Sequence, residues 1–269
     1  MNGWEFHPAR DLDLHGIERH RSLLREHGLA ASVVRLFWWC GLRIVFLIWH
    51  RLRVIGRENL PASPPFVLIA NHTSHLDALV LASILPVGWR DNVFPVAASD
   101  TFFTKGPSAA FADWFINALA IRRRCGCAHG LDEMRNKLTG DGAVFIIFPE
   151  GTRSRTGEMQ PFHSGIGRLV AQTNVPVVPC RLEGCFHSFP PGSRFVKPTR
   201  ITVKISPPIR FDADPDNRAG WDAIAQQLRG AVETLSVSSQ QIGRHRQRTL
   251  SPGNAHTNIP AHSRALIGL

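Results

Sequence analysis

The chain has 269 residues, 43% of them apolar and 19% charged, with 22 Gly and 19 Pro; these proportions exclude a disordered, collagen-like or multi-span membrane chain, and the length can bury a sizeable core. Lys and Arg outnumber Asp and Glu by 31 to 21, and the resulting charge of +10 calls for an anionic partner: nucleic acid, acidic lipid headgroups or a phosphorylated substrate. The five cysteines are odd in number and sparse, which argues against a disulfide scaffold and for a reducing cytoplasm, and the absence of Tyr excludes a tyrosine acid or nucleophile.

Residues 4 to 30 are charged and mixed, with no apolar run before a small-residue cleavage site, so no secretory signal is expected there. Ala31 to Trp49 follows, rich in Trp, Phe, Ile and Leu and close to the ~20 residues that span a bilayer. Arg35 and Arg43 lie inside it, and each would cost about 2.5 to 3.5 kcal/mol near a bilayer centre. At ~100° per residue, Arg35, Arg43, His50 and Arg53 share a sector of about 80° on an otherwise apolar helix. The expected arrangement is a helix in the headgroup plane, arginines on lipid phosphate and aromatics in the acyl boundary. A core helix with snorkelling arginines and a tilted span are the alternatives.

Beyond Gly56 the pattern alternates. Phe66–Ala70 reads as a short buried strand, Ser74–Leu85 as a helix and Val93–Ala97 as a strand. Ala109–Leu119 and Gly130–Leu138 read as helices, Val144–Phe148 as a strand, Gly165–Thr173 as a helix and Val175–Leu182 as extended chain. Ile201–Ile205 adds a strand and Trp221–Leu235 a helix, giving an α/β layered domain. From Ser236 to Leu269 no acidic residue occurs, and Ser, Gln, Arg, His, Pro and Gly dominate, the composition of a basic disordered tail. The expected division is therefore a helical membrane-association region over 1–55, an α/β domain over 56–235 and a tail over 236–269.

Two of these strands run into polar clusters: FVLIA into NHTSHLD at Asn71–Asp77, and VFIIF into PEGTRS at Pro149–Ser154. Sites in open α/β sheets form at the carboxyl ends of strands, so parallel neighbours would bring the two clusters together. On one continuous helix His72 and Asp77 would stand ~140° apart and could not meet. With His72 in the turn before the helix and Asp77 in its first turn, the carboxylate can reach one imidazole nitrogen and leave the other as a base. Ser74 and Asp77 also fit an S-x-x-D helix cap, with His72 and His75 as loop residues. In the second cluster Pro149 supplies a turn, Glu150 a carboxylate, Gly151 close approach, Thr152 a hydroxyl and Arg153 a guanidinium suited to phosphate. A solvated surface turn is the alternative.

Together these blocks resemble the glycerolipid acyltransferase family, whose best-known members are the 1-acylglycerol-3-phosphate acyltransferases. The N-H-x-x-x-x-D block stands at Asn71–Asp77, F-P-E-G-T-R-S at Phe148–Ser154, and V-P-[IV]-[IV]-P at Val175–Pro179. A looser block ends in arginine at Ala118–Arg123, without the usual Gly start or the Asp before the Arg; Arg122 and Arg124 flank the carried-over Arg123.

The resemblance implies a mixed, largely parallel sheet flanked by helices, behind an N-terminal amphipathic membrane-associating helix. It also implies acyl transfer from acyl-CoA or acyl-carrier protein to the hydroxyl of a lysophospholipid, with 1-acylglycerol-3-phosphate giving phosphatidate as the leading case. His72 and Asp77 are the implied catalytic pair, and Arg123, Glu150, Gly151, Thr152 and Arg153 the implied acceptor-binding residues. No cofactor and no metal are expected, the acyl thioester being a co-substrate. The implied partners are anionic membrane lipids, and the place is the cytoplasmic face of a membrane, peripheral or monotopic.

Among other readings, a metal-dependent hydrolase could use His72, His75 and Asp77, but H-E-x-x-H and H-x-H-x-D-H are absent. Cys125, Cys127 and His129 form only half of a zinc pattern. No G-x-S-x-G elbow or phosphate loop occurs, and the arginines are not interleaved with aromatics as an RNA-binding fold requires, so no nucleic-acid partner is expected. A non-catalytic membrane scaffold is the remaining rival. The segment Glu183–Pro198, with Phe186, His187, Phe189 and Phe195, reads as a lid or as an ordinary packed loop.

Overall fold

In the computed structural model, residues 29–98, 115–121 and 128–249 are described. In chain order the elements are helix α1 (Leu29–Ile48), strands β1 (Arg53–Ile55) and β2 (Phe66–Ala70), helix α2 (Leu76–Ser83), strands β3 (Val93–Ala98) and β4 (Leu119–Ile121), and helix α3 (Ala128–Gly140). They continue with strand β5 (Val144–Ile147), helix α4 (Gly165–Val170), strand β6 (Val177–Glu183), the one-turn helix α5 (Cys185–Ser188), strand β7 (Thr202–Ile205) and helix α6 (Arg218–Thr249). The sheet order is β1-β7-β6-β2-β5-β3-β4. Every pairing is parallel except the antiparallel β6–β7 pair. This is the expected mixed, largely parallel sheet flanked by helices.

The central strand β2 is buried at all five positions, as its unbroken apolar run requires of a strand covered on both faces. Alternate residues feed two cores. Phe66, Leu68 and Ala70 join Val144, Ile146, Val178 and Cys180 beneath α1 and α2. Val67 and Ile69 join Phe145, Val177, Leu169, Ile224 and Leu228 beneath α3, α4 and α6. Helices α4 and α6 pack so closely that a Cβ on Gly167 would stand 2.3 Å from the Trp221 carbonyl oxygen. Gly167→Ala should therefore cost about 3 kcal/mol, read as a lower urea midpoint, because backbone cannot retreat as a side chain can.

Strands β1 and β4 are additions to the expected set. Each is only three residues long at a sheet edge, too short to carry an alternating pattern. Leu119, expected to close a helix, opens β4; the rest of that expected helix lies mostly outside the described residues. Helix α6 runs on to Thr249, past the Ser236 boundary expected for the tail, because Ser, Gln and Arg propagate a helix adequately and Gly243 is the sole breaker before Pro252.

Helix α1 forms where expected and ends at Ile48, but the part of the basic stripe that it carries faces inward, while Arg53 lies beyond it in β1 and is exposed. Arg35 is fully buried and donates to Asp91 at 2.7 Å. Arg43 donates to the Ser83 carbonyl at 2.9 Å and also to that of Leu85. His50 is buried with Nδ1 3.3 Å from the Thr199 carbonyl. Leu29, Val33, Phe37, Ile44, Leu47 and Ile48 are left on the exposed side. The expectation of arginines on lipid phosphate is thus corrected for Arg35 and Arg43. Periodicity identifies which residues share a face but not which face is inside, and the open carbonyls at the end of α2, together with Asp91, hold the guanidinium groups more closely than headgroups would. Ala31–Ile48 is long and apolar enough to cross a membrane by length and composition.

Candidate active site

Strands β2 and β5 are parallel neighbours, Phe66 beside Val144 through Ile69 beside Ile147. Their carboxyl ends therefore deliver the two polar clusters to one edge of the sheet. Asn71 leaves β2 and repairs the sheet beyond it: its Nδ2 donates to the Leu182 carbonyl at 3.1 Å, and its Oδ1 accepts from the Leu182 N–H at 2.8 Å. Held in this way, the chain turns at His72 before α2 begins at Leu76.

Asp77 is in the first turn of α2 and fully buried. Its Oδ2 lies 3.0 Å from His72 Nδ1 and accepts from the backbone N–H groups of Thr73 at 2.6 Å and Ser74 at 2.8 Å. The carboxylate thus caps the turn and orients the imidazole at once, so the capping and pairing readings of the sequence coexist. With Nδ1 engaged, Nε2 is the nitrogen left to exchange a proton. The imidazole stacks on the Phe148 ring, centroids 4.2 Å apart and planes 17° from parallel. The His72 side chain retains 20% exposure, enough to be reached by a substrate.

The second cluster closes against the first through backbone bonds. Glu150 is buried, its Oε1 accepting from the His72 N–H at 2.8 Å and its Oε2 from the Gln160 N–H at 2.9 Å. Burial pushes the Glu150 carboxyl upward, opposed by those two bonds. Ser154 N–H donates to the His72 carbonyl at 2.8 Å, so His72 is held from both sides. Gly151 has φ +70°, the left-handed region, and a Cβ there would lie 3.1 Å from the His163 ring. Gly151 and Thr152 are exposed and Arg153 is half-buried. Burial pulls the Arg153 guanidinium down from its ordinary value, while the Asp77 carboxylate supports it. His75 lies close enough to be lowered to about 4, first by burial, then by Arg153 and His72, with Asp77 opposing.

His75 is therefore neutral in the fold at pH 6 and protonated in the unfolded chain to a substantial degree. Its contribution to stability is present above pH 6.5 and is lost as pH falls from 6.5 toward about 4. Glu150 acts in the opposite sense, because a raised carboxyl binds its proton more readily when folded. Comparing melting temperature against pH for His75→Gln and the unmodified chain isolates the histidine, and the variant should show the flatter profile over that window.

Four expected site residues, His72, Asp77, Glu150 and Arg153, come together at one edge with Gly151 and Thr152 on the same turn. Arg123 lies outside the described residues, as do Arg122, Arg124, Cys125 and Cys127. Among the described residues no three His, Cys, Asp or Glu side chains gather to hold a metal ion. Residue roles invisible in the sequence are the Phe148 platform, the Ser154 backbone bond and Cys185, buried beside Asp77, whose carboxylate adds to burial in driving the thiol upward. Phe148 and Ser154 are the two ends of the F-P-E-G-T-R-S block; nothing local marks Cys185. Of the aromatic residues of Glu183–Pro198, read as a lid or a packed loop, Phe186 packs over Gly157 and Phe189 lies 6.3 Å from His75, whereas Phe195 is 78% exposed.

A family model described as Acyltransferase matches residues 51–183. The chain is 31% identical over 206 residues to a Mus musculus protein named 1-acyl-sn-glycerol-3-phosphate acyltransferase alpha, covering 74% of this chain and 68% of the mouse protein. The Homo sapiens protein of the same name is 30% identical over 207 residues, covering 76% and 70%. A Limnanthes douglasii 1-acyl-sn-glycerol-3-phosphate acyltransferase is 32% identical over 171 residues, covering 63% and 58%. The crystal structure of the 1-acyl-sn-glycerophosphate (LPA) acyltransferase PlsC from Thermotoga maritima superposes with a TM-score of 0.57 at 22% identity, covering 78% of this chain and 79% of that one, a likeness of fold.

Proposed function

From a chain that belongs to the glycerolipid acyltransferase family, and is an acyltransferase on that ground, we infer transfer of a fatty acyl group from an acyl thioester to the free hydroxyl of 1-acylglycerol-3-phosphate, giving phosphatidate. The observation that carries the mechanism is the His72–Asp77 pair at 3.0 Å, placed against the Glu150–Arg153 turn at the end of β2 and β5. His72 Nε2 takes the proton of the acceptor hydroxyl as its oxygen attacks the thioester carbonyl. Asp77 keeps Nδ1 protonated and stabilises the imidazolium. Collapse of the tetrahedral intermediate breaks the C–S bond, and the thiolate leaves with the proton from His72, so no enzyme nucleophile and no metal enter the balance.

Arg153, with Arg123, binds the acceptor phosphate, the half-buried guanidinium being worth more there than in free solvent. Gly151 and Thr152 shape the approach, and Glu150 holds the turn. The donor is acyl-CoA or acyl-carrier protein. The exposed apolar face of α1 lies against the cytoplasmic face of a membrane containing anionic lipids, peripheral or monotopic, which brings the site to where a lysolipid resides. The membrane-association region over 1–55, the acyltransferase domain over 56–235 and the tail over 236–269 then have separate tasks.

The test is incubation of the full chain in anionic vesicles with lysophosphatidate and radiolabelled long-chain acyl-CoA, following free thiol and labelled lipid. Labelled phosphatidate with one thiol per product is expected. Thiol release without labelled phosphatidate would replace acyl transfer by thioester hydrolysis, and no turnover with this donor or with acyl-carrier protein would remove this acceptor.

A further inference from the structure

One excursion of the chain links the catalytic turn to the end of α1. At its start, Ser74 Oγ donates to the Phe189 carbonyl at 2.8 Å. At its end, the Ile201 N–H donates to the His50 carbonyl at 3.0 Å, and Thr199 faces the His50 ring. Its base is closed by the Lys197 N–H on the Ser188 carbonyl at 2.9 Å and by Ser188 Oγ on the Lys197 carbonyl at 2.8 Å. The tip is shaped by its own bonds, Ser193 Oγ donating to the Phe195 carbonyl at 2.9 Å.

What the tip presents is unusual for a water-facing loop. Phe195 is 78% and Val196 41% exposed, and they stand between the exposed cations Arg194 and Lys197, with Arg200, Arg51 and Arg53 also exposed nearby in the fold. A lone exposed apolar side chain needs no explanation. Two adjacent ones bracketed by cations, joined through His50 to a helix whose free face is apolar, have the chemistry of an interfacial anchor: apolar side chains for the acyl boundary and cations for lipid phosphates.

We propose that the Arg194–Lys197 tip is a second lipid-contacting element, inserting Phe195 and Val196 into the surface of an anionic bilayer while Arg194, Lys197 and Arg200 meet its phosphates. This rests on the reading that α1 lies against a bilayer. A single weak anchor binds reversibly, and two held on one rigid frame reinforce each other. Because the excursion is tied to the catalytic turn through Ser74 and to the end of α1 through His50, two contacts also fix how the His72 turn is inclined to the surface, which one helix free to roll would not.

The test compares co-sedimentation of the full chain with phosphatidylcholine vesicles, with and without phosphatidylglycerol. Phe195→Asp/Val196→Asp should bind the mixed vesicles about tenfold more weakly or worse. Arg194→Gln/Lys197→Gln should lose much of the gain that phosphatidylglycerol gives, and matched thermal melts should show both variants folded. Phe37→Asp/Ile44→Asp reports on α1 separately. An unmodified chain that stays in the supernatant with both vesicles overturns the bilayer reading itself. Binding that falls in the α1 variant yet is unchanged in both tip variants overturns the tip alone.

Discussion

His72→Ala is expected to lower acyl transfer by about a hundredfold to ten-thousandfold, the usual worth of a positioned general base, with little change in the melting temperature. The imidazole stacks on Phe148 and touches Asp77 but fills no core, so its loss is a loss of chemistry. Asp77→Asn should fall by at least about a hundredfold, because the amide can still accept a hydrogen bond but no longer stabilises an imidazolium. The double variant should be hardly worse than His72→Ala, since Asp77 acts through His72 and removing an orienting group costs nothing once the base is gone. Initial rates of labelled phosphatidate and of thiol release measure all three. Additive losses in the double variant would give Asp77 a role of its own and remove it as a positioning residue.

The sequence carries that pair because the element boundary is written next to it. A five-residue spacing is useless on one helix, and the strand that ends at Ala70 forces the turn that makes it useful. The β2–β5 adjacency was legible only as a condition: clusters at two strand ends meet if the strands are parallel neighbours, and here they are. What stayed hidden depends on partners distant in sequence. Arg35 and Arg43 read as lipid-facing because nothing near them in the chain announces Asp91 or the carbonyls of Ser83 and Leu85. Nothing near Cys185 in the chain announces Asp77, which is brought beside it only by β6 returning next to β2. The short edge strands β1 and β4 are set by register with β7 and β3, and three residues carry too little pattern to show it.

Glu150 yields the second large effect, and its direction separates two roles the sequence could not. Both carboxylate oxygens are spent on backbone donors, the N–H groups of His72 and Gln160, so the side chain is a clamp joining the end of β2 to the loop after the second cluster. Glu150→Ala leaves two donors without that acceptor, each costing about 1 to 3 kcal/mol where water cannot replace it. It also frees the backbone of His72 itself. The expected result is a lower melting temperature and a fall in kcat of about a hundredfold, since small misplacements of a base are costly, with KM for lysophosphatidate nearly unchanged. Glu150→Gln, whose amide oxygen can still accept one of the two bonds, should recover part of both losses. A Glu150→Ala chain that melts like the unmodified one while its acceptor KM rises steeply would instead make the carboxylate a direct acceptor ligand, and the bonds to His72 and Gln160 would then have to give way when substrate binds.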